Sequence, residues 1–413
     1  MKDKKCVVVG VSGGVAVYKA LDVISRLRKK DVEIHVIMTK SATEFVTPLS
    51  FQSLSQNMVI TDMFAEPKAW EIQHISLAKK ADLMLIVPAT ANIIGKVANG
   101  IADDMLSTTI MATKAPVVFC PAMNTNMYEN PIVQRNISLL KELGYEFIEP
   151  ASGRLACGDE GKGKLQDTEI IAEETLRRLH STKDLLGKKV VVTAGPTMVP
   201  IDPVRILTNR SSGKMGYSIA EEARDRGAEV VLISGPTSLR KPNGIKVIDI
   251  KTNEDMFNAI KNEFKDADIV IKSAAVADYK AKNYSNEKIK KTGDDLNLIF
   301  ERDRDILKTL GDMKKNQILV GFAAESSNLK ENAKGKLERK NLDYIVANDI
   351  SKPETGFASD ENKVTIISKS GEEVSLEKMS KREVAKNIFD IIKGANCAFL
   401  FYMNKGDYFG EIC

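Results

Sequence analysis

The 413-residue sequence holds only three histidines (His35, His74, His180) and five scattered cysteines (Cys6, Cys120, Cys157, Cys397, Cys413). No two cysteines form a CxxC pair, so neither a disulfide framework nor a cysteine-rich zinc site is indicated, and a reducing cytoplasm is the expected home. No apolar run is long and charge-free enough to span a bilayer. Charged residues lead straight into a strand-like run, and no secretory signal is expected. Excess charge of one sign is lacking too: 60 basic residues face 56 acidic ones, for a net +4. That balance argues against a nucleic-acid or membrane partner and leaves anionic small molecules open. Two nucleotide fingerprints are also missing. Gly10-Val11-Ser12-Gly13-Gly14 is not G-x-G-x-x-G, and the stretch ending Gly213-Lys214 has Thr208 and Met215 where a P-loop needs Gly and Ser or Thr.

What is present is a soluble, globular balance of 28% charged and 43% apolar residues, in a chain longer than one core usually supports. Short apolar runs at 6–9, 32–38, 83–87 and 117–120 alternate with helical periodicity at 16–28 and a polar helix from 169 to about 180. Residues 181–188 read as a linker. The alternation then restarts, with runs at 190–192, 230–233, 269–271, 318–320 and 344–346. Such runs require parallel sheets covered on both faces, with ligands bound where the strands end. Two doubly wound α/β domains follow, at 1–180 and 189–396, with an aromatic tail at 397–413 of no assigned role. Thr252 and Asp255 form a capping-box pattern, and a last helix at 381–392 is expected to end at Gly394.

The strand ends carry the chemistry. Gly10 to Gly14 follows the first strand and opens a helix, and a flavin mononucleotide phosphate suits it better than a dinucleotide. His35 reads as a strand side chain and His180 as a solvated one, which leaves His74 as the best base in this half. Pro88-Ala89-Thr90-Ala91-Asn92 ends a strand with small polar groups, as a ring-binding loop would. Asn124, at the next strand end, offers an amide that binds a carboxylate without competing for a proton. Residues 156–164 read as a mobile, glycine-rich flap whose Cys157 is an acid or nucleophile rather than a packing residue. Arg205 to Gly216 reads as an anion cradle before a helix at 218–226, with Lys214 as a point charge. A plain helix-start turn is the alternative.

These pieces together resemble a known family. His74-Ile75-Ser76-Leu77-Ala78, Pro88 to Asn92, Pro121-Ala122-Met123-Asn124, Ala156-Cys157-Gly158, Ile201-Asp202-Pro203-Val204-Arg205, Asn209 with Ser211 to Gly216, Ala274 to Tyr279, Lys288-Ile289-Lys290-Lys291 and Gly321 to Glu325 occur in the order of one family. It is that of the bifunctional phosphopantothenoylcysteine decarboxylase/phosphopantothenate–cysteine ligases of coenzyme A biosynthesis. The resemblance implies a flavodoxin-like flavoprotein sheet followed by a Rossmann-like ligase sheet. FMN would be held by Gly10, Ser12, Gly13, Thr39, Ala89, Thr90 and Asn92. His74 would be the base, Asn124 would hold the substrate carboxylate, and Cys157 would donate a proton. Tyr128 stands where the family often has Trp, and Lys164 where its flap usually has Arg.

For the second half the resemblance implies a ligase that activates phosphopantothenate with CTP and Mg2+ through an acyl-cytidylate, which cysteine then intercepts. Lys288 would assist activation, and Arg205 and Asn209 would handle the acyl-cytidylate. Ala274, Asp278, Asp305, Ile306, Leu307, Phe322, Lys336 and Lys340 would line the nucleotide pocket; no metal ligands are assigned. The family also implies a large homo-oligomer, a dodecamer among the sizes considered, with decarboxylase sites between subunits. A non-catalytic flavoprotein subunit and a nicotinamide-dependent oxidoreductase are the rivals. The purified protein is expected to be yellow, with a flavin spectrum that survives desalting. A colourless protein that binds nicotinamide nucleotides would reverse that reading.

Overall fold

The structure is a computed structural model that describes residues 4–64, 72–154, 158, 160–291, 296–325, 329–349 and 359–394. Cys157, Asn396 and the tail 397–413 lie outside them. Contacts divide the chain into two compact units, Met1–Ser181 and Thr182–Cys413.

In the first unit, β1 (Cys6–Val11), β2 (Glu33–Met38), β3 (Val59–Ile60), β4 (Leu83–Ala89), β5 (Val117–Pro121) and β6 (Glu146–Phe147) form one sheet. It is wholly parallel, in the order β3-β2-β1-β4-β5-β6. Without the two-residue edge β3, that is the flavodoxin order, and the winding reverses between β1 and β4. Successive residues of β1 face opposite ways. Val7 and Val9 pack with Val17, Ala20 and Ile24 of the helix Val17–Arg28 and Ile171 of the helix Thr168–Leu179. Val8 packs on the other face with Ile93, Ile94, Leu106 and Ile110. Gly10, expected in the phosphate turn, is instead inside β1. A Cβ there would come 2.4 Å from Leu106, so the glycine lets the helix Met105–Ala112 lie close to the sheet. A β7–β8 hairpin (Ala151–Arg154, Glu160–Lys164) follows.

The second unit contains β9 (Lys189–Ala194), β10 (Met198–Pro200), β11 (Ile206–Thr208), β12 (Glu229–Ser234), β13 (Lys246–Asp249), β14 (Ile269–Lys272), β15 (Tyr279–Ala281) and β16 (Phe300–Arg302). β17 (Ile318–Glu325), β18 (Tyr344–Asp349), β19 (Glu361–Ser368) and β20 (Glu373–Ser380) complete it. The main sheet runs β13-β12-β9-β14-β17-β18-β19-β20, parallel as far as β18. β19 and β20 are antiparallel, a hairpin the apolar-run reading did not contain. Its signal was alternation, as in Val364 and Ile366, before a turn with Gly371 at φ 89°. β10 pairs with β11, and β15 with β16, as two small antiparallel arms. The capping box at Thr252 forms, and the helix Lys381–Ile392 ends before Gly394 at φ 71°. No helix among the described residues is long and apolar enough to cross a membrane.

Two expectations need correction. The helix expected from 218 begins at Lys214, because Gly213 (φ 79°) turns the chain directly into it. The linker 181–188 is not free connecting chain either. Leu185 is fully buried in the second core, its N–H donates to the Arg226 carbonyl, and Lys183 donates to the Asp225 carbonyl. Arg226 itself is 1% exposed, paired with Glu222, Asp390 and Asp184, with its guanidinium over the Phe389 ring. It ties the helices Lys214–Asp225 and Lys381–Ile392 to the chain entering the unit. Removing one partner of a buried ion cluster strands the others. Arg226→Met is expected to lower stability by about 3–5 kcal/mol in urea titrations. A loss below about 1 kcal/mol would mean that the pairs do not hold this end together.

Candidate active sites

At the switch point of the first sheet, the ends of β1 and β4 are joined through Ser12. Its hydroxyl donates to the Pro88 carbonyl at 2.8 Å, lies 3.0 Å from Thr90 Oγ1, and accepts the Thr90 N–H at 3.0 Å. The Thr39 N–H donates to the Val11 carbonyl, which brings the end of β2 to the same place. A Cβ on Gly13 would meet Ser41 at 2.4 Å, and one on Gly14 would reach Thr90 at 3.4 Å. Three loops thus converge in van der Waals contact, with hydroxyls at Ser12, Thr39, Ser41 and Thr90 and no acidic residue in 10–14, 39–42 or 88–92. Such a lining fits a flavin phosphate, since it offers donors and repels no dianion. Ala89 is buried at the end of β4, and Asn92 is exposed in the next helix. Of the expected FMN set, Gly10 and Ala89 lie against the core, where each offers a ligand only its backbone.

His74 lies in the first turn of the helix Gln73–Lys80, partly buried, and no hydrogen bond among the described residues joins it to the Ser12 network. His35 pairs with Glu33 at 3.0 Å on its own strand, and His180 caps a helix, partly buried rather than solvated. Asn124 caps the helix Thr125–Glu129, its Oδ1 accepting the Asn126 N–H at 2.8 Å. The expected flap is no loose loop at its base: the Met123 N–H donates to the Gly163 carbonyl at 2.9 Å. A Cβ on Gly163 (φ 124°) would come 2.4 Å from the Met123 carbonyl, and one on Gly161 would come 2.7 Å from Thr125. The two glycines therefore dock the hairpin on the Asn124 turn; Cys157 itself lies outside the described residues. Among the described residues, Thr125 Oγ1 is buried at that turn without a hydrogen-bond partner. Tyr128 is buried, donating to Glu149 at 2.8 Å. Burial and that carboxylate push its phenol up to about 12, so it anchors this turn as a neutral donor.

In the second unit the expected ligase residues meet around a residue that was given no role. Asp202 is buried, and its carboxylate accepts the N–H groups of Val204, Arg205 and Ile289 and an ion pair from Arg205. Burial pushes the carboxyl upward, but these donors outweigh it and hold it at about 2. Arg205 also donates to the Ile289 carbonyl at 3.1 Å, which fixes the loop next to the exposed Lys288. Asn209, just beyond β11, donates to the Ala275 carbonyl at 3.1 Å and so reaches the loop after β14. Arg205 to Asn209 is therefore mostly an antiparallel arm rather than the start of an anion cradle. Lys214 pairs with Asp360 at 2.7 Å. The sequence signal for Asp202 was an Asx turn, an Asp whose side chain holds the N–H groups two and three residues on.

Among the residues expected at the nucleotide, Ala274 is positioned by its N–H to Thr193 Oγ1, and Asp278 is exposed. Asp305 caps the helix Ile306–Met313 and pairs with Lys340 at 2.9 Å. The side chains of Ile306 and Leu307 are in the core, so they offer a ligand only backbone, contrary to a lining role. Phe322 is half-buried against the core, and Lys336 lies one turn before Lys340.

Residues 1–180 match the Flavoprotein family, and residues 185–395 match the DNA/pantothenate metabolism flavoprotein C-terminal domain. The coenzyme A biosynthesis bifunctional protein CoaBC of Bacillus subtilis (strain 168) is 49% identical over 395 residues, 95% of this chain and 97% of its own length. That of Borreliella burgdorferi is 42% identical over 395 residues, 95% of this chain and all of its own. The chain belongs to this bifunctional coenzyme A biosynthesis family. A solved C-terminal domain of a CoaBC protein is 44% identical and covers 52% of this chain and 98% of its own, with TM-score 0.45.

The coenzyme A biosynthesis family joins a flavoprotein decarboxylase to a ligase, and this chain is such an enzyme. In it, Asp202→Asn would leave three N–H groups and a guanidinium around a neutral amide. Amide-bond formation is expected to fall about 10- to 100-fold with decarboxylation unchanged, because a hydrogen bond to a charged group is worth ~1.5–3 kcal/mol. Equal loss of both activities would show that Asp202 acts through general folding. The depressed carboxyl stays ionised far below neutrality, so the stability it contributes is present above the ordinary carboxylate range and is lost only as pH falls toward about 2.

Proposed function

We propose that residues 189–396 join phosphopantothenate to cysteine and residues 1–180 decarboxylate the product to phosphopantetheine. The observation that carries this reading is the Asp202 knot, which gathers Arg205, the Lys288 loop and, through the same arm, Asn209. The phosphopantothenate carboxylate attacks the α-phosphate of Mg2+-bound CTP, pyrophosphate leaves, and an acyl-cytidylate forms. Lys288 offsets the charge that develops on the phosphoryl oxygens. Arg205 and Asn209 hold the intermediate while the cysteine amine displaces CMP. Asp278, Asp305, Phe322, Lys336 and Lys340 line the nucleotide side.

In the first unit, Ser12, Gly13, Thr39, Ala89, Thr90 and Asn92 would hold FMN. When bound, the flavin would supply the two-electron oxidation that makes the cysteine side chain an electron sink for loss of CO2, and would return the same two electrons to give the saturated thiol product. Asn124 orients the departing carboxylate, His74 takes a proton from the substrate, and Cys157 returns one to the product. The working assembly in this reading is a large homo-oligomer in the cytoplasm.

Phosphopantothenate, cysteine, CTP and Mg2+ are expected to yield pyrophosphate, CO2 and phosphopantetheine. His74→Asn should abolish CO2 release and spare pyrophosphate, and Lys288→Gln should cut pyrophosphate yet still decarboxylate supplied phosphopantothenoylcysteine. If either substitution stops both reactions, the assignment of two separable sites fails. Replacing CTP with ATP in the same assay reads the nucleotide preference.

A further inference from the structure

The end of β14 carries a lysine that the proposed chemistry does not use. Lys272 is the last residue of the strand, between Thr193 of β9 and Gly321 of β17. Two residues earlier, Val270 packs in the core with Ile306, Leu307, Ala333 and Leu337, and strand geometry turns Lys272 toward the same helices. There it feels Lys340, Asp305 and Asp278. These are the titratable groups facing it: Lys340 just past the helix Leu329–Arg339, Asp305 at the start of the helix Ile306–Met313, and Asp278 on the loop after β14. Its strand neighbours Thr193 and Gly321 do not titrate.

Asp305 is already engaged, accepting the Lys308 N–H at 3.1 Å and pairing with Lys340 at 2.9 Å. Lys272 is partly buried and, among the described residues, makes no hydrogen bond and no ion pair. A cation drawn out of water without a counter-charge costs free energy, which an apolar residue in its place would not. Burial, and then the Lys340 charge, pull its pKa down to about 8 against the opposing pull of Asp305 and Asp278. The adjoining residues, Ala274, Asp278, Asp305 and Lys340, are those assigned above to the nucleotide.

We propose that Lys272 is a further nucleotide-binding residue, whose amine pairs with a phosphate oxygen of the incoming nucleoside triphosphate and takes up a proton as it does so. This rests on the reading of the second unit as a nucleotide-dependent ligase. The bound phosphate supplies the counter-charge that the protein withholds. Nucleotide binding is then coupled to pH on the alkaline side of neutrality: above about pH 8 the amine of the free protein is mostly neutral, and binding must recharge it.

Calorimetric titration of the full-length chain with Mg2+ and CTP at about pH 8.5, in two buffers of different ionisation enthalpy, reads this directly. The wild type is expected to take up roughly three-quarters of a proton per nucleotide, the share of such a lysine that is neutral there. Lys272→Met should lose that uptake and bind about 10- to 100-fold more weakly, with a melting temperature at neutral pH no lower than wild type. Lys272→Arg, permanently charged, should bind without uptake. Tight binding with no uptake by the wild type, or the same uptake in all three proteins, would overturn the role of Lys272 and leave the ligase reading standing. If the wild type binds no CTP, the nucleotide reading itself fails, and this inference with it.

Discussion

Parallel strands buried on both faces leave no room for chemistry along their length, and this constraint arranges both halves of the molecule. Val7, Val8 and Val9 are fully buried, as are Val190, Val191 and Val192, so every polar group that must meet a ligand is driven to a strand end. The first unit meets that demand with hydroxyls: Ser12 ties β1 to β4 where the winding reverses, and glycines let neighbouring loops touch. The second meets it with charge. Asp202, Asp305 and Lys272 all sit on loops or strand ends around β9, β14 and β17.

The two solutions suit different chemistry. A flavin brings its own reactivity, so a lining without acid groups needs only to position it. The phosphoryl transfer proposed for the second unit would ask the protein for fixed charges, which move little once tied to a backbone. Asp202 does the tying: it holds Arg205 by both its N–H and its guanidinium and reaches across to Ile289, so an exposed lysine gains a defined base.

Much of this was legible in the sequence. Val7 to Val9, Leu83 to Val87 and Val117 to Cys120 announce strands buried on both sides, and Ser12, Thr90 and Asn124 lie in the loops after them. The pattern of Thr252 with Asp255 forms the cap it implies. What escaped depended on partners distant in the chain. Gly10 looked like a phosphate glycine, but its neighbour Leu106 is almost a hundred residues away. Asp202 carried no role of its own in the sequence, because its third backbone donor, Ile289, comes from another arm. The β19–β20 hairpin was hidden for a different reason: its half-polar strands alternate instead of forming continuous apolar runs.

The burial of Leu185 separates the end of one fold from the covalent joint between the two. The chain becomes part of the second core several residues before β9, through Leu185 and through the bonds of Lys183 and Leu185 to the end of the helix Lys214–Asp225. A second half begun at Lys189 would open a leucine-sized hole beside Ile219 and Ala223 and leave the Arg226 carbonyl to water, whereas one begun at Thr182 carries its own plug. The connecting segment that belongs to neither core is thereby shorter than its composition suggests.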